Sequence, residues 1–161
     1  MALRRTLVEV EIKTKAWRKA WPKAGDDVQR VLALAAAHAA LRGKAGGEIA
    51  VVLADDALLR DLNAQFRGND KPTNVLSFPD GEKPPGGGIA VAFETVSAEA
   101  TAQGKPFINH AKHMILHGFL HLLGQDHEKS REARLMEGLE IAILARMGIP
   151  NPYVIETKTR A

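Results

Sequence analysis

Residues 117–127 read HGFLHLLGQDH. Three histidines stand there at H-x-x-x-H-x-x-G-x-x-H spacing inside an otherwise apolar run. On an α-helix, residues four apart lie on one face, one turn up. His117 and His121 can therefore direct two imidazoles at one ion, as in the zinc-binding helix of H-E-x-x-H proteases. Gly124 can take a positive φ, end the helix and let the chain turn back, so that His127 reaches the same ion. Three neutral ligands with an open fourth position describe a catalytic zinc site rather than a closed structural one. The departure from the protease pattern is Gly118, which stands where those enzymes carry their glutamate.

Other readings of these histidines compete. Four of the six lie between residues 110 and 121, and such a cluster can also be a set of packed core histidines. His113, one turn before His117, is the rival third ligand. A straight ladder of three histidines spans more than about 10 Å at 1.5 Å per residue, too far for one ion, which favours His127. His110 and His113 then read as supporting or packing groups, and His38 as structural or exposed.

The 161 residues suit one domain, with 45% hydrophobic and 25% charged residues. There is no cysteine, so disulfides and thiolate metal sites are excluded and any metal is held by nitrogen or oxygen. The net charge of +3 permits nucleic-acid binding without demanding it. The opening MALRRTLVEVEIK does not read as a signal peptide, and the longest uncharged run, residues 31–41, is too short to span a bilayer. The expectation is a soluble, cytoplasmic protein with no membrane partner.

Period-2 alternation predicts a strand around residues 7–12, with Val8, Val10 and Ile12 on its buried side. GDDVQRVLALAAAHAALRG predicts a helix capped by Asp26 or Asp27 and ended by Gly43. EIAVVLAD predicts a buried strand. Asp55 opens a helix that ends near Gly68, and TNVLSFP predicts a strand stopped by Pro79. DGEKPPGGG (80–88) reads as a surface loop and IAVAF as the fourth strand. A helix over about 94–103 follows, then a longer one with Pro106 in its first turn, running to Gly124. Ser130 caps a last helix ending at Gly148. The fold expected is α/β (α+β): one domain over 1–155, a four-stranded sheet with about five helices, one of them zincin-like. Residues 156–161 read as a polar tail.

HGFLHLLGQDH together with FRGNDKPTNVLSFP (66–79) resembles the YbeY family of bacterial metal-dependent endoribonucleases. The two motifs, their order and the chain length match over nearly the whole sequence. The resemblance implies a small mixed sheet packed by helices and one zinc held by His117, His121 and His127. It places the family's functional arginine on Arg67. It implies single-strand-specific RNA cleavage in 16S rRNA 3′-end maturation and ribosome quality control, with the small ribosomal subunit as partner and no DNA. Two positions depart from the family pattern: Gln125, where a tyrosine is usual, and Gly88, where an acid is usual.

The missing glutamate bears on the substrate. Gly118 cannot carry a proton from zinc-bound water to a leaving amine, which counts against peptide hydrolysis. RNA brings its own nucleophile, the 2′-OH. A metal and a cation then stabilise charge on the phosphoryl group. Arg67 stays charged and its fork suits phosphate, and Lys71 lies in the same turn. Taken alone, Arg67 reads equally as a solvated charge. Asp126 is either an outer carboxylate to a ligand histidine or a turn residue, and Glu128 reads as solvated. The proton carrier, and whether the 2′-OH or water attacks, stay open on sequence alone, and imidazole also suits nickel, copper and iron. Two alternatives stand beside the nuclease: a zinc hydrolase of another class, such as a peptidase, and a non-catalytic ribosome-binding factor with a structural metal.

Overall fold

The computed structural model describes residues 6–68, 73–125 and 130–154, with Arg67 described in its backbone alone. Strand β1 (Leu7–Ile12) alternates as its sequence requires, with Leu7, Glu9 and Glu11 exposed and Val8, Val10 and Ile12 half-buried. It pairs parallel with β2 (Glu48–Ala54), and β2 pairs parallel with β4 (Gly87–Ala92). Parallel neighbours need a crossover, supplied by α1 (Lys15–Ala20) and α2 (Ala24–Ala37) between β1 and β2. Helix α3 (Asp56–Arg67) leads into β3 (Val75–Pro79), which adds antiparallel to the far side of β4. The order is β1-β2-β4-β3, a mixed sheet as expected. Helices α4 (Phe93–Gln103), α5 (Phe107–Leu122) and α6 (Ser130–Ala145) complete the described chain.

The two faces of the sheet are covered unequally. Ile49, Val51, Leu53, Ile89 and Val91 face the main core, where α5 brings Ile115, Leu116, Phe119 and Leu120. On the other face Leu76, Ala90 and Ala92 meet Leu59 of α3 in a smaller cluster. Fully burying one such large aliphatic side chain contributes about 1.5–3 kcal/mol, so the α5 face dominates stability and fixes the helix that carries the histidines.

Local signals explain both ends of α3. The Asp55 side chain accepts from Leu58 N at 2.8 Å, and Gly68 closes α3 at φ 64°. Three expectations need correction. Helix α2 starts at Ala24 with no side-chain cap, because the Asp27 carboxylate instead accepts from Trp21 Nε1 at 2.8 Å. It ends at Ala37, well before Gly43: His38 is extended and its Nδ1 accepts from Ala40 N, and Leu41 then folds into the core. Pro106 is the residue flanking α5 rather than its first helical position. The described residues hold six helices, close to the expected number of about five. The additional one is α1, whose Trp17 is buried between Phe93 and Phe107 and donates Nε1 to Ala54 O at 2.7 Å.

Candidate metal centre

Helix α5 is apolar on almost every side, as a helix buried between sheet and helices must be. His117 and His121 lie one turn apart on it, with ring centroids 4.7 Å apart and the rings at 75°. Their Nε2 atoms approach to 3.2 Å. The other nitrogen of His117, Nδ1, lies 3.2 Å from Oε1 of Glu140 on α6. Glu140 is fully buried, and its Oε2 accepts from the Tyr153 hydroxyl at 2.7 Å and contacts His113 Nε2.

The carboxylate decides the tautomers. Burial pushes the Glu140 acid upward, but the hydrogen bonds from His113, His117 and Tyr153 outweigh it and hold its pKa at about 2. An ionised carboxylate only accepts. His117 therefore donates Nδ1–H and His113 donates Nε2–H. The other His113 nitrogen, Nδ1, is buried without a hydrogen-bond partner. Burial, and then Glu140 itself, push the Tyr153 phenol upward, so it stays a donor.

With Nδ1 directed at Glu140, His117 turns its Nε2 toward His121. Ligand nitrogens on a tetrahedral zinc at about 2.05 Å sit about 3.3 Å apart, close to the observed 3.2 Å. A ligand histidine that donates its second N–H to a carboxylate is the usual support of such a site. The donor set therefore fits a metal ion. Among the described residues no group of three or more His, Asp or Glu is arranged to hold one. His127, the expected third ligand, lies outside the described residues, as do Asp126, Glu128 and Lys71. The turn toward His127 begins as expected: Gly124 takes φ 90°, and Gln125 N bonds back to Leu120 O at 2.9 Å.

Gly118 has a spatial reason that the sequence did not reveal. A Cβ there would stand 2.8 Å from Ile89 Cγ2, 3.1 Å from Ser77 Oγ and 3.3 Å from Val75 Cγ2. Ser77 also donates to the Gly118 carbonyl at 2.9 Å. Helix α5 thus lies directly on β3 and β4 at this point, and no side chain fits between them.

The remaining expected residues fall into place as follows. His113, the rival ligand, turns to Glu140, and His110 Nε2 pairs with Glu99 Oε1 at 3.0 Å. Glu99 also accepts from Asn74 Nδ2 at 3.1 Å. Burial lowers the His110 pKa, against the opposing pull of Glu99. Arg67 is the last residue of α3, before the Gly68 turn. At Gly88 an added Cβ meets nothing nearer than the Phe78 ring at 3.8 Å, so an acid is not excluded sterically. Beside His117, which is 23% exposed, lies a groove of about 580 Å³ lined in part by Asn74, Glu99, Lys105, His113 and Tyr153. Sequence reasoning passed over Glu140 and Tyr153. Glu140 had one signal: it shares a helix face with Met136, Ile143 and Leu144, a carboxylate on an apolar stripe. Tyr153 had none.

No described helix is long and apolar enough to cross a membrane. The solution structure of TM1509 from Thermotoga maritima superposes with a TM-score of 0.52 and 23% identity, covering 96% of this chain and 100% of that one, a likeness of fold. A Rhodopseudomonas palustris protein named Endoribonuclease YbeY is 49% identical over 158 residues, 92% of this chain and 82% of its own. Its namesake from Bradyrhizobium diazoefficiens is 46% identical over 157 residues, 91% and 85% of the two chains. The family model described as Endoribonuclease YbeY matches residues 9–148. With the motif helix and all but the first two residues of the sheet beneath it inside that span, the chain belongs to the Endoribonuclease YbeY family.

Proposed function

We propose that this chain is a metal-dependent endoribonuclease, cleaving single-stranded RNA in the maturation of the 16S rRNA 3′ end and in ribosome quality control. The working unit is one domain over residues 1–155, with 156–161 as a tail, acting in the cytoplasm on rRNA and the small ribosomal subunit. The observation that carries the proposal is the His117–His121 pair, with Nε2 atoms 3.2 Å apart and one ring oriented by Glu140, in a chain of this family.

In this reading one zinc is held by His117, His121 and His127. When bound, it supplies Lewis acidity at the phosphoryl group. Arg67 is the catalytic cation and binds the phosphate through its fork, and Lys71 binds the neighbouring backbone. Glu140 keeps the proton of His117 on Nδ1. Peptide hydrolysis is disfavoured, because the place of a protease glutamate is filled by Ile89, Ser77 and Val75. The test is metal analysis of the purified protein beside an assay on single-stranded RNA. Arg67→Ala is expected to keep its metal and lose cleavage, and His121→Ala to lose both. Cleavage at the wild-type rate by Arg67→Ala would remove that residue from the mechanism.

A further inference from the structure

The segment after α6 is fastened across the site by specific bonds. Ile149 is buried, Lys105 Nζ donates to Pro152 O, and Tyr153 N bonds to Asn151 Oδ1 at 2.9 Å. This strap brings the Tyr153 hydroxyl to Glu140 Oε2 at 2.7 Å and sets its ring edge-on to His113, centroids 5.5 Å apart at 88°. Tyr153 remains 42% exposed, so burial of its ring is modest and the hydroxyl is the specifically anchored part.

A carboxylate rotates about its last bond unless both oxygens are held. Here Tyr153 and His113 hold Oε2, which leaves Oε1 directed at His117 Nδ1 at 3.2 Å. That contact in turn directs His117 Nε2 at His121. We propose that Tyr153 is a positioning residue for the metal centre: through Glu140 it fixes the tautomer and direction of His117, so that the strap after α6 tunes metal affinity. This rests on the reading that His117 and His121 are metal ligands. It ties a segment outside both sequence motifs to the strength of the site.

The test uses the full chain. The zinc dissociation constant is measured by competition with a chromophoric chelator for the wild type, Tyr153→Phe, Glu140→Gln and His121→Ala. The His117 tautomer is read by ¹⁵N NMR of the metal-free protein. Removing an outer partner of a metal ligand weakens binding by about 10- to 100-fold. Glu140→Gln is therefore expected to weaken zinc binding at least about tenfold, and Tyr153→Phe, one bond further out, about threefold or more. The wild type is expected to show Nδ1–H on His117 and Glu140→Gln a mixture of tautomers. Tyr153→Phe keeps the ring, so it reads the relay even where Glu140→Gln weakens the fold. Wild-type affinity and tautomer in both variants, with only the melting temperature lowered, overturns the proposal. Unchanged affinity in His121→Ala instead overturns the metal-site reading itself, an outcome distinct from failure of the relay.

Discussion

At Gly118 two effects of opposite sign meet. Alanine in place of glycine inside a helix gains up to about 1 kcal/mol of propensity. Forcing a methyl into a packed interface costs about 1–3 kcal/mol, and here the Cβ would stand 2.8 Å from a branched Ile89 methyl. Gly118→Ala is expected to lower the unfolding free energy by about 1–2 kcal/mol in urea melts, with unchanged m-value. The sequence shows only that a protease glutamate is absent, and the contact with β3 and β4 supplies a physical reason for it. His110 gives a second prediction at this scale. Burial lowers its pKa, against Glu99 and with help from His113 and Lys105. The folded state thus binds fewer protons than the unfolded one, whose value is 6.5. Stability rises with pH in that window, so His110 is neutral to stability above 6.5 and increasingly destabilising as pH falls below it. His110→Gln is expected to flatten the fall in stability that burial of His110 predicts for the wild type as pH drops below 6.5. An identical pH slope in the two proteins would contradict this.

At the scale of elements, legibility followed periodicity. Strand β1 was readable from its alternation, β2 from its continuous apolar run, α3 from helical spacing opened by Asp55, and α4 from the glycine that ends it. Asp55 was readable as a cap, and Asp55→Ala is expected to cost about 0.5–2 kcal/mol in thermal or urea melts without changing zinc binding. Helix α2 was misread at both ends, because Asp27 serves Trp21 across the chain and Leu41 is drawn into the core. These are tertiary demands that no local pattern carries. Helix α1 escaped notice for the same reason: KAWRKA is short and half basic, and it is held by Trp17. Removing the Trp17 Nε1 bond to Ala54 O with Trp17→Phe also removes buried ring area. The expected loss is about 2–4 kcal/mol, measured by calorimetry.

For the whole molecule, the class of fold could be read directly, and so could the shared helix face of His117 and His121, because HGFLHLLG encodes that face and its glycine end. The strand order could not, since an antiparallel β3 at the edge of a parallel trio depends on how α3 crosses. Nor could the relay, because Tyr153, Glu140 and His117 are brought together only when α6 docks on α5. The two faces carry different elements: α5 packs its histidine-bearing helix on the main core, and α3, whose last residue is Arg67, packs on the other side of the sheet. We propose above all that the His117–His121 cradle holds a metal on which RNA cleavage depends. That claim is tested most directly by following cleavage of one single-stranded RNA with a single preparation, first as purified, then stripped by chelator, then restored with zinc. The account predicts that cleavage is lost on stripping and returns as about one equivalent of zinc per chain is restored. Undiminished cleavage by the rigorously metal-free protein would contradict it.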